Sequence, residues 1–361
     1  MARSEQLRCL IAAGGTAGHV LPALAVAEAL QQRGVTVTFA GSPERAEARL
    51  VPDAGFELDP FRIEGFPREP SLRFARALWL AACAPSACRA ILERRRPDVV
   101  LGGGGFVAGP MVLAAWTKRI PAALSEADAH LGLANRLAAP FAQRVFLAYP
   151  IATRSGSKYR VVGRPIPARS QSMPKDAARR LFGLPETGPV LVVFGALAGA
   201  RSINELAVET FGAAGPPILH LSGERDYPSL VGRAQRPDYK LLPFTDHFGA
   251  ALSAADLVLS RAGGSVWEIA AAGKPAVLVP YPFATGDHQT KNAEYFQRAG
   301  GAVTVQELDL ERVPELLRSL LQDPVRLQAM SHAMRAAARP EAADEIAEEL
   351  VALAVDNKSR N

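Results

Sequence analysis

The chain has 361 residues and a mass of 38.4 kDa, which suggests two domains, since single cores stop growing near about 250–300 residues. Hydrophobic residues make up 48% and charged residues 21%, which excludes a disordered chain. Three cysteines, Cys9, Cys83 and Cys88, cannot build a disulfide framework and lack the partners of a zinc site, so reduced thiols are expected.

The net charge of +5 is unevenly spread. Residues 1–164 hold 21 Lys and Arg against 13 Asp and Glu, and residues 165–361 hold 20 against 23. A basic half beside a slightly acidic half suggests two kinds of partner; anionic lipid, nucleic acid or a phosphorylated substrate fits the basic half. The longest uncharged candidate for a membrane span, Ala77 to Cys88, is too short and contains Pro85. Arg8 precedes a short apolar run and then glycines, which reads as a first strand and not a signal peptide, so a soluble cytoplasmic protein is expected.

Strand-length apolar runs alternate with helical patterns. Leu7–Ala13, Val35–Ala40, Asp98–Leu101, Ala122–Leu124 and Arg144–Leu147 read as strands, with helices at His19–Arg33, Glu44–Ala54, Leu72–Arg94 and Gly109–Lys118. The pattern restarts with strands at Val190–Phe194, Ile218–Leu221, Lys240–Leu242, Leu257–Leu259 and Ala276–Val279. Such alternation predicts two doubly wound parallel sheets. The proline-bearing stretch Val162–Pro174 reads as the linker, giving domains over 1–162 and 163–340. Residues 341–361 read as a closing helix and tail, with Ile346, Leu350 and Leu353 at helical spacing, able to pack back on the first domain.

Ligands in open α/β sheets bind where strand ends feed helix N-termini, which suit phosphates. Four segments have that form. Gly14-Gly15-Thr16-Ala17-Gly18-His19 lacks the Gly-x-Gly-x-x-Gly spacing, the acidic second-strand end and the Walker lysine, which argues against NAD and ATP. His19 opens the following helix, as a general base or as a capping or solvent-exposed residue. Gly102 to Gly105 imply close approach to the backbone. In Ser260-Arg261-Ala262-Gly263-Gly264-Ser265-Val266-Trp267-Glu268 the N–H groups of Gly263 to Val266 can cradle a diphosphate. Glu268 can there accept from ribose hydroxyls or complement the helix dipole. In Gly286–Asn292, Asp287 reads as an N-cap, and Gln289 and Asn292 share a face suited to sugar hydroxyls.

In order and spacing these segments resemble the MurG family of peptidoglycan glycosyltransferases over nearly the whole chain. The carriers are Gly14–Ala25, Gly104–Pro110, Gly199–Asn204, Arg261–Gly263, Glu268–Pro275 and Asp287–Ala293. The resemblance implies a GT-B fold, with two Rossmann-like domains facing across a cleft. It implies inverting transfer of N-acetylglucosamine from UDP-N-acetylglucosamine to the 4-hydroxyl of the muramyl sugar of lipid I, giving lipid II. The donor is a substrate, and no cofactor or metal is implied; no Asp-x-Asp pair follows a strand. The acceptor would be an undecaprenyl-diphosphate-linked muramyl-pentapeptide at the cytoplasmic face of the cell membrane.

Carried over by position, His19 is the candidate base, with Glu126 as a second catalytic candidate. Arg261, Gly263, Gly264, Ser265 and Glu268 would serve the uridine diphosphate, with Thr245 also at the donor. Gln289 and Asn292 would meet sugar hydroxyls, and Thr16, Ala17 and Gly18 the donor phosphates and acceptor. Four departures stand out. The family's His-Glu-Gln-Asn reads Ser125-Glu126-Ala127-Asp128, so Asp128 replaces an amide at a substrate position. Its Gly-Gly-Ser-Gln-Gly-Ala loop places Leu197 where a serine contact is expected. Its linker motif Gly-Asn-Pro-Val-Arg reads Gly163-Arg164-Pro165-Ile166-Pro167, with Arg164 as a substitute contact. The Arg261–Glu268 segment is about one residue shorter than the family form.

Leu72, Phe74, Leu78 and Trp79, flanked by arginines and joined by Trp116, read as a peripheral membrane face or as a core helix with solvated arginines. Glycolipid synthases, UDP-N-acetylglucosamine 2-epimerases and non-catalytic sugar-nucleotide- or lipid-binding proteins are the alternatives within this plan. A nucleic-acid module is not expected, because the basic residues are not interleaved with aromatics on a recognisable motif.

Overall fold

The structure, a computed structural model, describes residues 6–65, 72–195 and 199–360. The chain folds as two compact units, Met1–Pro167 with Pro340–Asn361, and Ala168–Arg339.

Among the described residues the first unit is built on seven strands: β1 (Arg8–Ala12), β2 (Thr36–Gly41), β3 (Glu57–Pro60), β4 (Val99–Gly102), β5 (Ala122–Glu126), β6 (Arg144–Leu147) and β7 (Tyr159–Val161). They lie in the order β3-β2-β1-β4-β5-β6-β7, all parallel. Its first helices are α1 (Ala17–Gln32), α2 (Ala46–Asp53), α3 (Leu72–Arg95), α4 (Ala108–Thr117) and α5 (Leu133–Ala138). The central strand β1 is covered on both faces, as a parallel sheet requires. Cys9 and Ile11 enter one core with α1; Leu10 and Ala12 enter the other with α3 and α4.

The second unit repeats the plan with β8 (Leu191–Phe194), β9 (Ile218–Leu221), β10 (Tyr239–Leu242), β11 (Leu257–Ser260), β12 (Ala276–Leu278) and β13 (Ala302–Thr304). The order is β10-β9-β8-β11-β12-β13, again parallel. Three strands escape the sequence reading: β3, β7 and β13. All are sheet edges of three or four residues, where a strand meets one neighbour and carries charge or polarity such as Glu57, Asp59 and Arg160.

The last helix, Ala342–Arg360, belongs to the first unit. Its Ile346, Ala347, Leu350 and Ala354 are fully buried in the same core as Val20, Leu24 and Ala27 of α1. Arg33, just after α1, pairs with Asp344 at 2.7 Å and Glu348 at 3.1 Å, and Lys358 reaches Asp98 at 3.2 Å. The apolar stripe drives docking, while the partly exposed ion pairs contribute little energy and fix register. Leu350→Ala is expected to lower the unfolding free energy by about 2–5 kcal/mol, as core truncations do. Urea denaturation measures it; an unchanged midpoint would show that the helix is not part of this core.

Candidate active site

Register aligns the strand ends. Ala12 of β1 pairs with Gly102 of β4, and Gly102 pairs with Leu124 of β5, so the three following loops leave one edge of the sheet. Their glycines are mostly explained by the chain itself. A Cβ at Gly14 would overlap the Glu47 carboxylate, and one at Gly105 would overlap the Gly14 carbonyl. At Gly102 and Gly103 a Cβ would lie 2.7 Å from the Leu124 side chain and 2.8 Å from that of Ala13. At Gly104, whose φ is +102°, it would stand 2.6 Å from the His19 ring. The close approach expected from four consecutive glycines is therefore real, but the approaching atoms are neighbouring loops and strands. Gly18 is different: it is exposed, and a Cβ built there would meet only Thr16 Oγ1 at 3.4 Å and Arg164 Nη2 at 3.9 Å, both ordinary contacts.

Glu47, on α2, is a site residue that sequence reasoning missed. Its fully buried carboxylate accepts from the N–H of Gly15 at 2.9 Å and of Ser42 at 2.8 Å, tying the first glycine loop to the end of β2. Nothing local in Ala46-Glu47-Ala48 marks it, because the partner lies 32 residues away.

His19 is half-buried in the first turn of α1. Its Nδ1 is 3.2 Å from the Thr16 hydroxyl, and its ring rests on Gly104. When Nδ1 carries the proton and donates to Thr16 Oγ1, Nε2 presents the lone pair that a base needs. Thr16 and Gly18 are exposed and Ala17 is half-buried.

Glu126 closes β5 and is turned inward, 5% exposed. It accepts from Gly132 N–H at 2.9 Å, Asn135 Nδ2 at 3.0 Å and Asp128 N–H at 3.3 Å. Burial pushes its carboxyl above the ordinary range, against those hydrogen bonds. The structure thus makes Glu126 an anchor for the loop carrying half-buried Asp128. Asn135, absent from the sequence reading, holds it there and also donates to Ser125 O at 3.0 Å. Arg164 is likewise directed inward, 8% exposed, and donates to Gly18 O at 2.6 Å and Ala127 O at 3.2 Å.

In the second unit Ser260 of β11 pairs with Phe194 of β8 and Leu278 of β12, which again collects the loops at one edge. Leu197 lies outside the described residues. Gly263 is open, with Gln289 Nε2 at 4.0 Å from a Cβ built there. Half-buried Gly264 and Ser265 lead into the helix Val266–Ala271, and Ser265 makes no side-chain cap bond. Half-buried Glu268 sits in that helix's first turn, where Ser170 Oγ donates to its Oε1. Ser170 lies in the stretch read only as linker. Gln289 Oε1 accepts from Tyr281 N–H at 2.9 Å, and the Thr245 hydroxyl accepts from His247 N–H at 3.1 Å.

Two sequence expectations change here. Arg261 is 8% exposed and donates to Glu307, to Ser202 Oγ at 3.0 Å, and to the Val279 and Pro280 carbonyls at 3.3 and 3.2 Å, with Tyr281 stacked at 5.5 Å. Its guanidinium braces the loops and is neutralised within the domain. Asn292 is fully buried and donates to Ala262 O at 3.2 Å, so its amide supports the glycine loop from inside the domain. Asp287 takes the expected N-cap position of the helix His288–Arg298, with φ 53° and no side-chain cap bond.

Two parallel α/β units, one with a glycine loop after β1 and the other with a glycine loop after β11, make up the GT-B class of glycosyltransferases. The glycosyltransferase family 28 N-terminal domain matches residues 9–147, and the family 28 C-terminal domain matches residues 190–346. The UDP-N-acetylglucosamine–N-acetylmuramyl-(pentapeptide) pyrophosphoryl-undecaprenol N-acetylglucosamine transferase of Acidithiobacillus ferrooxidans is 41% identical over 349 residues, covering 94% of this chain and 95% of the relative. The transferase of the same name from Halothermothrix orenii is 34% identical, covering 92% and 95%. The crystal structure of Acinetobacter baumannii MurG superposes with a TM-score of 0.78 at 28% identity, covering 96% of this chain and 99% of that one. The chain belongs to glycosyltransferase family 28, in its MurG branch. A UDP-N-acetylglucosamine 2-epimerase from Neisseria meningitidis, at 16% identity and a TM-score of 0.67, shares the fold alone.

Burial would raise the Glu307 carboxyl, but the hydrogen bonds and charge of Arg261 hold it below the ordinary glutamate range. A lowered folded value contributes stability above the unfolded pKa, and that stability is lost as pH falls through the folded value. Glu307→Gln is expected to reduce this acid dependence. Thermal unfolding at pH 7 and pH 3 tests it; an identical acid limb in the variant contradicts it.

Proposed function

We propose that the chain transfers N-acetylglucosamine from UDP-N-acetylglucosamine to the 4-hydroxyl of the muramyl sugar of lipid I, forming lipid II at the cytoplasmic face of the membrane. The observation that carries the reading is His19: an imidazole oriented by Thr16 and Gly104 beside the open Gly18, in a chain matching such transferases over nearly its full length. Nε2 takes the acceptor 4-hydroxyl proton as the oxygen attacks the anomeric carbon. The bond from that carbon to the diphosphate breaks, UDP leaves with the bonding electrons, and the anomeric configuration inverts. The N–H groups around Gly263 and the helix behind Ser265 receive the diphosphate charge. Glu268, oriented by Ser170, accepts from the ribose hydroxyls. The reaction draws on the nucleotide sugar as substrate and on no further cofactor.

Attachment to the bilayer is assigned to α3, α4 and α5, where α4 packs against both others. Trp79 on α3 and Trp116 on α4 are 66% and 53% exposed, and Leu133 and Leu137 on α5 are exposed as well. The Trp116 ring packs at a tilt against Phe141, with ring centroids 5.1 Å apart. Lys118, Arg119 and Arg136 are exposed on the same helices or directly after them. Apolar insertion combined with basic attraction to anionic headgroups holds a protein on a membrane surface. The side chains of Leu72, Phe74 and Leu78 lie outside the described residues. No helix among the described residues is long and apolar enough to cross a membrane.

His19→Ala is expected to lower kcat by about 10²–10⁴-fold, the range for a lost general base, with donor affinity unchanged. Glu268→Ala is expected to weaken UDP binding by about tenfold, the loss of roughly one net charge-assisted hydrogen bond. Lipid II formation from purified lipid I and calorimetry with UDP read the two effects; no product with the wild-type chain overturns the reading. Trp116→Ser combined with Leu137→Ser is expected to reduce sedimentation with vesicles containing anionic lipid, and unchanged sedimentation removes this face as the attachment site.

A further inference from the structure

The linker arginine holds a broken helical turn beside the base. Pro22 lies inside α1 and has no N–H, so the carbonyl four residues before it, that of Gly18, receives no helical hydrogen bond. Arg164 Nη2 fills that role at 2.6 Å, and its Nη1 reaches Ala127 O at 3.2 Å. Both partners are carbonyls, and the guanidinium that joins them is 8% exposed. Ala127 adjoins Glu126, whose bonds fix the loop up to Gly132.

The peptide unit between Gly18 and His19 is therefore held at both ends. Its carbonyl accepts from Arg164, and its N–H donates to Thr16 O at 3.1 Å. The His19 ring is then confined by the Thr16 hydroxyl and by Gly104. We propose that Arg164 is a positioning residue: it sets the first turn of α1, and so the aim of His19, while fixing the Glu126–Gly132 loop to the same point. The proposal rests on the assignment of His19 as base. It also reassigns Arg164, which stands where the family's linker motif carries asparagine, from substrate contact to internal strut.

The discriminating measurement separates donor binding from turnover. In Arg164→Ala, kcat with lipid I is expected to fall by about 10²-fold, as misplacing a reacting group by about 1 Å does. Acceptor KM is expected to rise, and the calorimetric Kd for UDP-N-acetylglucosamine to stay at the wild-type value. Methylguanidine added to Arg164→Ala is expected to restore part of the turnover. Arg164→Lys keeps the charge but not the planar fork, and serves as the second variant if the alanine form unfolds; the same split, smaller in size, is expected. A weaker donor Kd in either variant, or wild-type turnover in both, overturns the proposal while an inactive His19→Ala leaves the base assignment intact. Wild-type turnover in His19→Ala overturns that assignment and this proposal with it.

Discussion

The loops after β1 and β4 lie backbone against backbone, and the geometry of the first unit's site depends on that contact. Gly14 N–H reaches Gly104 O at 3.4 Å, and a side chain on Gly105 would displace the Gly14 carbonyl. With both loops this close, the His19 ring rests directly on Gly104, and Glu47 fills the space behind Gly14. The result is a preorganised surface in which one glycine, Gly18, stays open at a helix start. Catalysis by positioned groups relies on such rigidity, since a reacting atom displaced by an ångström loses much of its advantage.

The second unit solves a related problem with different chemistry. Its glycine loop is supported by buried polar side chains, Arg261 with Glu307 and Asn292 with Ala262, so the open Gly263 is presented on a braced frame. Because the Arg261 charge is matched by Glu307, backbone N–H groups are left to meet an anionic ligand. This half of the chain carries slightly more acid than base, 23 Asp and Glu against 20 Lys and Arg over residues 165–361. In the basic half, several arginines are also committed internally, Arg94 and Arg95 to Asp59 and Arg33 to Asp344. The exposed Arg119 and Arg136 sit near exposed Trp116 and Leu137 and are available to a surface.

The central strands were legible because burial on both faces demands uninterrupted apolar runs such as Val99-Val100-Leu101. Edge strands β3, β7 and β13 were not, because one-sided pairing removes that demand; of the four edges among the described residues only β10, with Leu241 and Leu242, was legible. The glycine loops and His19 were legible as motifs. Their supports were not: Glu47, Asn135, Ser170 and Glu307 act through contacts set by the fold, up to 98 residues from their partners. For the same reason Arg164, Arg261 and Asn292 were read as facing ligand; residue type and position reveal a polar group near a site but not which way it turns.

The claim that most of these glycines serve the chain while Gly18 serves the ligand has a direct test. Gly18→Ala fits the space and exchanges glycine for the best helix former, which is worth up to about 1 kcal/mol. Unfolding and lipid II synthesis measured together on Gly18→Ala and Gly105→Ala decide it. The account predicts that Gly18→Ala keeps or raises the unfolding midpoint and loses turnover, whereas Gly105→Ala loses the midpoint. Full turnover in Gly18→Ala, or wild-type stability in Gly105→Ala, would contradict it.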